Sequence, residues 1–140
     1  MTLRPPLFAG MALAAATATA FAPAAGAREP LAAEAHVNQQ LIAARVADRI
    51  RRECPSISAN MLRAFAAAQA LKAYAQRKGY SEAEIDDFLK DRSQRERIYA
   101  EAEAYMAARG VRPGDVQSYC ALGQAEIEAR SVAGSLIRRK

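Results

Sequence analysis

Two cysteines, Cys54 and Cys120, constrain this 140-residue chain more than any other feature, because each falls on the apolar stripe of a segment with helical periodicity. Ile42, Val46, Ile50 and Cys54 recur every four residues. Val116, Tyr119, Cys120, Gly123 and Ile127 share a second stripe. Such spacing places each set on one face of a helix. Two cysteines allow one intramolecular pairing, which would enclose 65 intervening residues. Loop entropy assigns a bridge of that span about 4 kcal/mol, comparable with the whole stability of a small domain. A redox-active or metal-binding pair is the alternative. Catalytic dithiols keep their partner thiol close, as in Cys-x-x-Cys. A structural zinc uses four Cys or His ligands, and His36 is the one histidine here. Free or intermolecular thiols also stay open.

The bridge matters because the core is lean. Alanine supplies 35 residues, and beyond Ala27 the chain has 23 Val, Ile, Leu, Met and Phe together, with five Tyr and no Trp. Alanine favours helix but buries little surface.

Residues 1–27 have the pattern of a signal peptide: Arg4, an apolar run from Leu7 to Ala22, Pro23, then Ala25-Gly26-Ala27 ahead of Arg28-Glu29. Small residues at the −3 and −1 positions suit cleavage after Ala27. Ala18-Thr19-Ala20 is a second possible site, and an uncleaved anchor is the competing reading, since the run approaches spanning length. Cleavage would leave 113 residues with 19 Lys and Arg against 15 Asp and Glu. That is one domain's worth of chain, with no transmembrane segment. Export predicts a periplasmic location, where thiols oxidise.

Residues 28–33 are expected to form a flexible leader ahead of a helical domain over 34–140. A first helix is predicted from Glu34 to Glu53, stopped by Pro55. A second, capped by Ser56 or Ser58, ends near Lys78. It is apolar nearly all round between Ala59 and Ala75, the pattern of a buried central helix. Gly79-Tyr80-Ser81-Glu82-Ala83-Glu84-Ile85 combines a helix stop, a Ser81–Glu84 capping box and a Tyr80–Ile85 staple. The third helix then runs from Glu82 to Asp91, turning Ile85, Phe88 and Leu89 inward. Ser93 and Glu96 suggest a box opening a fourth helix, which ends at Arg109-Gly110. Its inner face holds Ile98, Ala102, Tyr105 and Met106, and Val111 folds back onto Met106. Asp115 caps a last helix, and the pattern weakens and frays beyond Arg130. No period-two run indicates a strand. The expected fold is all-α: one small domain of four to five short helices closed by one disulfide.

Few residues offer chemistry. His36 lies near the N-terminal leader and is expected to be a solvated surface residue. The acids Glu82, Glu84, Asp86 and Asp87 lack the spacing of a calcium loop and suit a helix N-terminus instead. Glu101, Glu103 and Glu126 could serve a carboxylate hydrolase, but no loop is long enough for an obvious cleft. No phosphate loop or haem motif is present. No catalytic, cofactor or metal residues are therefore assigned. Three basic groups stand out: Arg49, Arg51 and Arg52; Lys90, Arg92, Arg95 and Arg97; and Arg138-Arg139-Lys140. Acids interleave the first two, as on an ion-paired surface. In an exported protein such groups suit an anionic surface or acidic protein partner rather than nucleic acid.

Cys54-Pro55-Ser56-Ile57-Ser58-Ala59, Gly79-Tyr80-Ser81, Tyr105 through Val111, Pro113-Gly114-Asp115 and Tyr119-Cys120-Ala121-Leu122-Gly123 together resemble a family of uncharacterised proteins. These are small exported two-cysteine proteins of proteobacteria, with a domain of unknown function. The resemblance runs from about Ile50 to Ile127. Some members are labelled as NADH dehydrogenase subunits, yet no flavin, nicotinamide or iron–sulfur motif is present here. The expected function is a periplasmic, non-enzymatic interaction or structural protein, accessory to an envelope or respiratory assembly. A holdase-type chaperone is the alternative, and a carboxylate hydrolase ranks behind both.

Overall fold

Glu34 opens the helical fold by accepting the Val37 N–H at 2.8 Å and the Tyr74 hydroxyl at 2.8 Å, which caps one helix and tethers it to another. The computed structural model describes residues 28–140; the signal-peptide expectation for residues 1–27 lies outside the described residues. The elements in chain order are a 3-10 turn (Leu31–Ala33), α1 (Ala35–Glu53), β1 (Ile57–Ala59), α2 (Met61–Arg77), α3 (Glu82–Lys90), α4 (Arg92–Ala107), α5 (Val116–Glu128), α6 (Val132–Ser135) and β2 (Ile137–Arg139). The chain is thus a small, mostly helical domain.

The centre is α1, which packs most extensively against α4, α5 and α6. Its stripe of Val46, Ala47 and Ile50, continued by Cys54, is buried against Met106, Tyr119, Leu122 and Ile137. A second cluster gathers Leu31, Val37, Tyr80, Ile85, Phe88 and Ile98. Cys54 and Cys120 form a disulfide with Cα atoms 5.1 Å apart, tying the end of α1 to α5. The Ser81–Glu84 capping box forms, with Glu84 N–H to Ser81 Oγ at 3.1 Å and Ser81 N–H to Glu84 Oε2 at 2.7 Å. Tyr80 and Ile85 are both buried beside it. Gly110, at φ +87°, adopts the left-handed turn that lets the Val111 N–H reach the Met106 carbonyl at 3.1 Å.

Several expectations need correction. The hub is α1, not α2: α1 carries β-branched Ile42, Val46 and Ile50 on one stripe, whereas α2 turns inward Ala64, Ala67, Leu71 and Ala75. Bulky side chains reach deeper and gather more neighbours, so the alanine helix is left outside. Leu89 is 51% exposed rather than inward, because the short α3 covers its neighbours only through Ile85 and Phe88. Asn60 caps α2 instead of Ser56 or Ser58, since residues 57–59 are engaged in a strand. Asp91 caps α4 through the Gln94 N–H at 2.8 Å, which leaves Ser93 to bond Asp91 and Glu96 to pair with Arg92.

The strand pairing was also unexpected. β1 and β2 form an antiparallel ladder with Ile57 opposite Arg139, Ser58 opposite Arg138 and Ala59 opposite Ile137. Three residues are too few for a period-two pattern to emerge. The ladder anchors the C-terminus that was expected to fray: Leu136 and Ile137 are buried, and the Lys140 N–H donates to the Ser56 carbonyl at 3.0 Å. Residues 28–33 likewise lie against the domain, with Leu31 buried, Arg28 on the Gly79 carbonyl at 2.6 Å and the Tyr80 hydroxyl on the Glu29 carbonyl at 2.6 Å.

Within α6 a Cβ on Gly134 would overlap the Glu126 carbonyl group of α5, which is fixed backbone. Gly134→Ala should therefore cost about 1–3 kcal/mol of stability, read as a lowered urea midpoint. Replacing Cys54 and Cys120 together by alanine should cost about 2–5 kcal/mol on the same measurement. An unchanged midpoint in that double variant would show that the bridge contributes nothing to this core.

Candidate functional site

The outer face of α2 is the most unusual surface on the molecule. Met61, Leu62 and Phe65 are 72%, 82% and 65% exposed, and Ala66, Ala68 and Ala70 beside them are exposed as well. A helix apolar on every side normally has every side covered. Here only the stripe through Ala64, Ala67, Leu71 and Ala75 turns toward the domain, so the other apolar side faces outward. Large apolar side chains grouped on one exposed surface mark contact sites more often than scattered ones do.

Between α1 and α2 runs a groove of about 310 Å³. Alanines floor it: Ala44 and Ala47 from α1, Ala64, Ala67 and Ala68 from α2. Leu136 and Ile137 close one end, Met61 forms a lip on the α2 side, and Asp48 and Arg51 line the α1 side. Asp48 is shared by three guanidinium groups, Arg45 at 3.2 Å, Arg51 at 2.5 Å and Arg52 at 3.0 Å. Burial pushes its carboxyl up, but the hydrogen bonds and charges of Arg52 and Arg51 outweigh that and hold it below the usual carboxylate range. From Cys54 to Ser81 the chain contains no acid, while Arg63, Lys72, Arg77 and Lys78 are basic. The groove is therefore apolar, and the three arginines around Asp48 make its α1 side positively charged.

The basic groups divide on inspection. Arg49 binds Glu103 at 2.9 Å, Glu53 at 2.7 Å and the Tyr119 hydroxyl at 2.9 Å, joining α1 to α4 and α5. Arg92 and Arg97 pair with Glu96 and Glu101 within α4, at 2.7 and 2.8 Å, and Lys90 lies 3.9 Å from Asp86. Arg139 pairs with Glu128 at 3.1 Å. Arg95, Arg138 and Lys140 have no carboxylate within ion-pair distance among the described residues.

Sequence reasoning singled out acids that the structure keeps apart. Glu101 answers to Arg97 and Glu103 to Arg49. Glu126 is buried, accepting from the Tyr105 hydroxyl at 2.6 Å and from Ser131. Of the three, Glu126 alone lines the cavity of about 330 Å³ that α1 shares with Tyr105 and Ser131. It is a latch between α4 and the α5–α6 turn. Glu82 pairs with Lys72, Glu84 with Arg28, and Asp86 with Lys90. Among the described residues no group of three or more His, Cys, Asp or Glu could hold a metal ion. His36 is exposed, its ring 4.4 Å from that of Tyr74. No described helix is long and apolar enough to cross a membrane. Sequence reasoning missed the open face of α2 and its groove, although the same all-round apolar pattern was the signal that could have pointed to them.

Several carboxylates are held ionised by the fold. Burial raises the Glu34 carboxyl, but the Val37 N–H, the Tyr74 hydroxyl and the Lys78 charge bring it below its ordinary value. Backbone N–H donors do the same at the caps, led by Gln94 for Asp91 and by Ser81 for Glu84. Asp115 is lowered first by Arg112 and then by the Ser118 N–H.

A protein-family model described as a family of unknown function, DUF5333, matches residues 29–138. No curated protein and no solved structure matches the chain.

Because these carboxyls titrate lower folded than unfolded, they contribute stability in full above their ordinary values near 4 to 4.5. That contribution is lost as the pH falls toward their folded values. The urea midpoint should hold between pH 7 and 5 and drop steeply below pH 4.5. Glu34→Gln, which retains an acceptor without the charge, should flatten that drop. An equally steep fall in the variant would remove Glu34 from the account.

Proposed function

Given that the chain belongs to DUF5333, a family of unknown function, we propose that it is a periplasmic, non-enzymatic interaction protein that docks a partner protein on the outer face of α2. Service as an accessory to an envelope assembly is the role this reading favours. The observation that carries it is the exposure of Met61, Leu62 and Phe65 on a helix whose sequence calls for cover on all sides. The export-type leader and an oxidised Cys54–Cys120 pair are consistent with an oxidising compartment. Glu101, Glu103 and Glu126 are each engaged with a different partner, and of the three only Glu126 lines the cavity beside Tyr105.

A second reading, a holdase-type chaperone, draws on one specific combination. The same exposed apolar face stands on a helix that the Glu34 carboxylate pins through Tyr74, a tie that acid would weaken. Suppression of client aggregation that appears only below pH 4 would favour it over docking.

Affinity capture from the periplasmic and envelope fractions with thiols unreduced tests the docking reading. The chain and a Leu62→Glu/Phe65→Glu variant are compared. Both positions are mostly solvent-exposed, so the variant should keep its stability within about 0.5 kcal/mol. It should nevertheless recover at least about tenfold less of the partner, since apolar anchors dominate such contacts. Identical capture by both proteins, or a large loss of stability in the variant, would overturn the reading.

A further inference from the structure

We infer that the occupant of the α1–α2 groove is an acidic amphipathic helix contributed by another protein. This rests on the docking reading above and adds the chemistry of the partner. The shape of the groove argues for a helix. Two helices of 19 and 17 residues form its walls, and its floor is alanine. Helix axes approach to about 8–10 Å according to the side chains between them, so a row of alanines admits a third helix close to both walls. Large apolar side chains spaced three and four residues apart on that helix would fill the channel, as in other helix-in-groove complexes. Met61 at the lip, with Phe65 one turn along beside it, would close over it.

Charge argues for acid on the occupant. Three arginines share Asp48 on the α1 side, which leaves two positive charges in excess there. On the other wall, α2 contains no acid. Arg138 and Lys140, on and just beyond the strand next to the closed end, have no carboxylate partner among the described residues. Complementary charge across an interface selects the partner and its orientation. A second copy of this chain would oppose one acid-free helix with another and set basic side chains against the arginine-rich rim. An anionic bilayer would meet the projecting Leu62 and Phe65 but leave the concave alanine floor uncovered.

The test uses the oxidised chain recovered from cells expressing the full sequence, uniformly labelled with nitrogen-15. Two synthetic eighteen-residue amphipathic helices serve as probes, sharing one leucine stripe and carrying Glu or Lys on its flanks. Vesicles of seven parts phosphatidylethanolamine to three parts phosphatidylglycerol form a third arm. The Glu helix should shift amides along Ala44–Arg51 and Met61–Leu71 and bind at least about tenfold more tightly than the Lys helix. Arg51→Glu/Arg52→Glu should reverse that preference, while Ala68→Leu, which fills the alanine floor, should weaken both helices. Equal binding of the two helices, shifts mapping elsewhere, no binding of either, or vesicle binding through the same amides would each overturn the inference. Those outcomes leave the docking reading standing wherever partner capture still depends on Leu62 and Phe65; capture indifferent to both residues removes that reading as well.

Discussion

The Cys54–Cys120 bond holds together what this core could not hold by burial alone. It joins the last residue of the α1 stripe to α5, where Tyr119 and Leu122 pack over Ile50 and Met106. Immediately after Cys54 the chain turns into β1, whose partner strand is the C-terminus. One covalent link thus fixes three things at one end of the domain: the end of α1, the approach of α5 and the start of the ladder. With so many alanines among the apolar residues, helices approach closely but bury modest area per contact. Closing a 65-residue span removes much of the unfolded chain's freedom instead.

Polar ties complete the arrangement. Arg49 reaches from α1 to Glu103 on α4 and Tyr119 on α5, with Glu53 alongside. Glu34 connects the start of α1 to Tyr74 on α2, and Glu126 connects Tyr105 on α4 to the turn before α6. Glu34 and Glu126 are engaged at fixed positions between helices. That placement accounts for their burial and makes them structural pins. Strength is concentrated around α1, and α2 is held by a lighter set of contacts through its alanine stripe. A helix attached in this way can expose its opposite face without weakening the centre.

Much of the fold is legible in the sequence because its signals are local. The Ser81–Glu84 box, the Tyr80–Ile85 staple, the Gly110–Val111 helix end and the Asp115 cap involve residues a few positions apart. The four-residue recurrence of Ile42, Val46, Ile50 and Cys54 identifies the face of α1 in the same way. What escaped depends on distant partners. Residues 57–59 form a strand because residues 137–139 lie alongside, and the C-terminus is ordered for the same reason. The displaced caps at Asn60 and Asp91 follow from competition: Ser58 is committed to the ladder, and Asp91 ends α3 while starting α4.

The sequence by itself determined that this chain is helical, that its two cysteines face inward and where most helices begin and end. Periodicity and capping depend on neighbouring residues alone, and those are written in order along the chain. The tertiary structure decided which helix is central. It set bulky β-branched α1 inside and alanine-rich α2 outside, a choice made by how much surface each can bury in three dimensions. An all-round apolar pattern states only that a helix needs cover. Only the packed structure reveals that the domain covers one side of α2 and leaves Met61, Leu62 and Phe65 on the other.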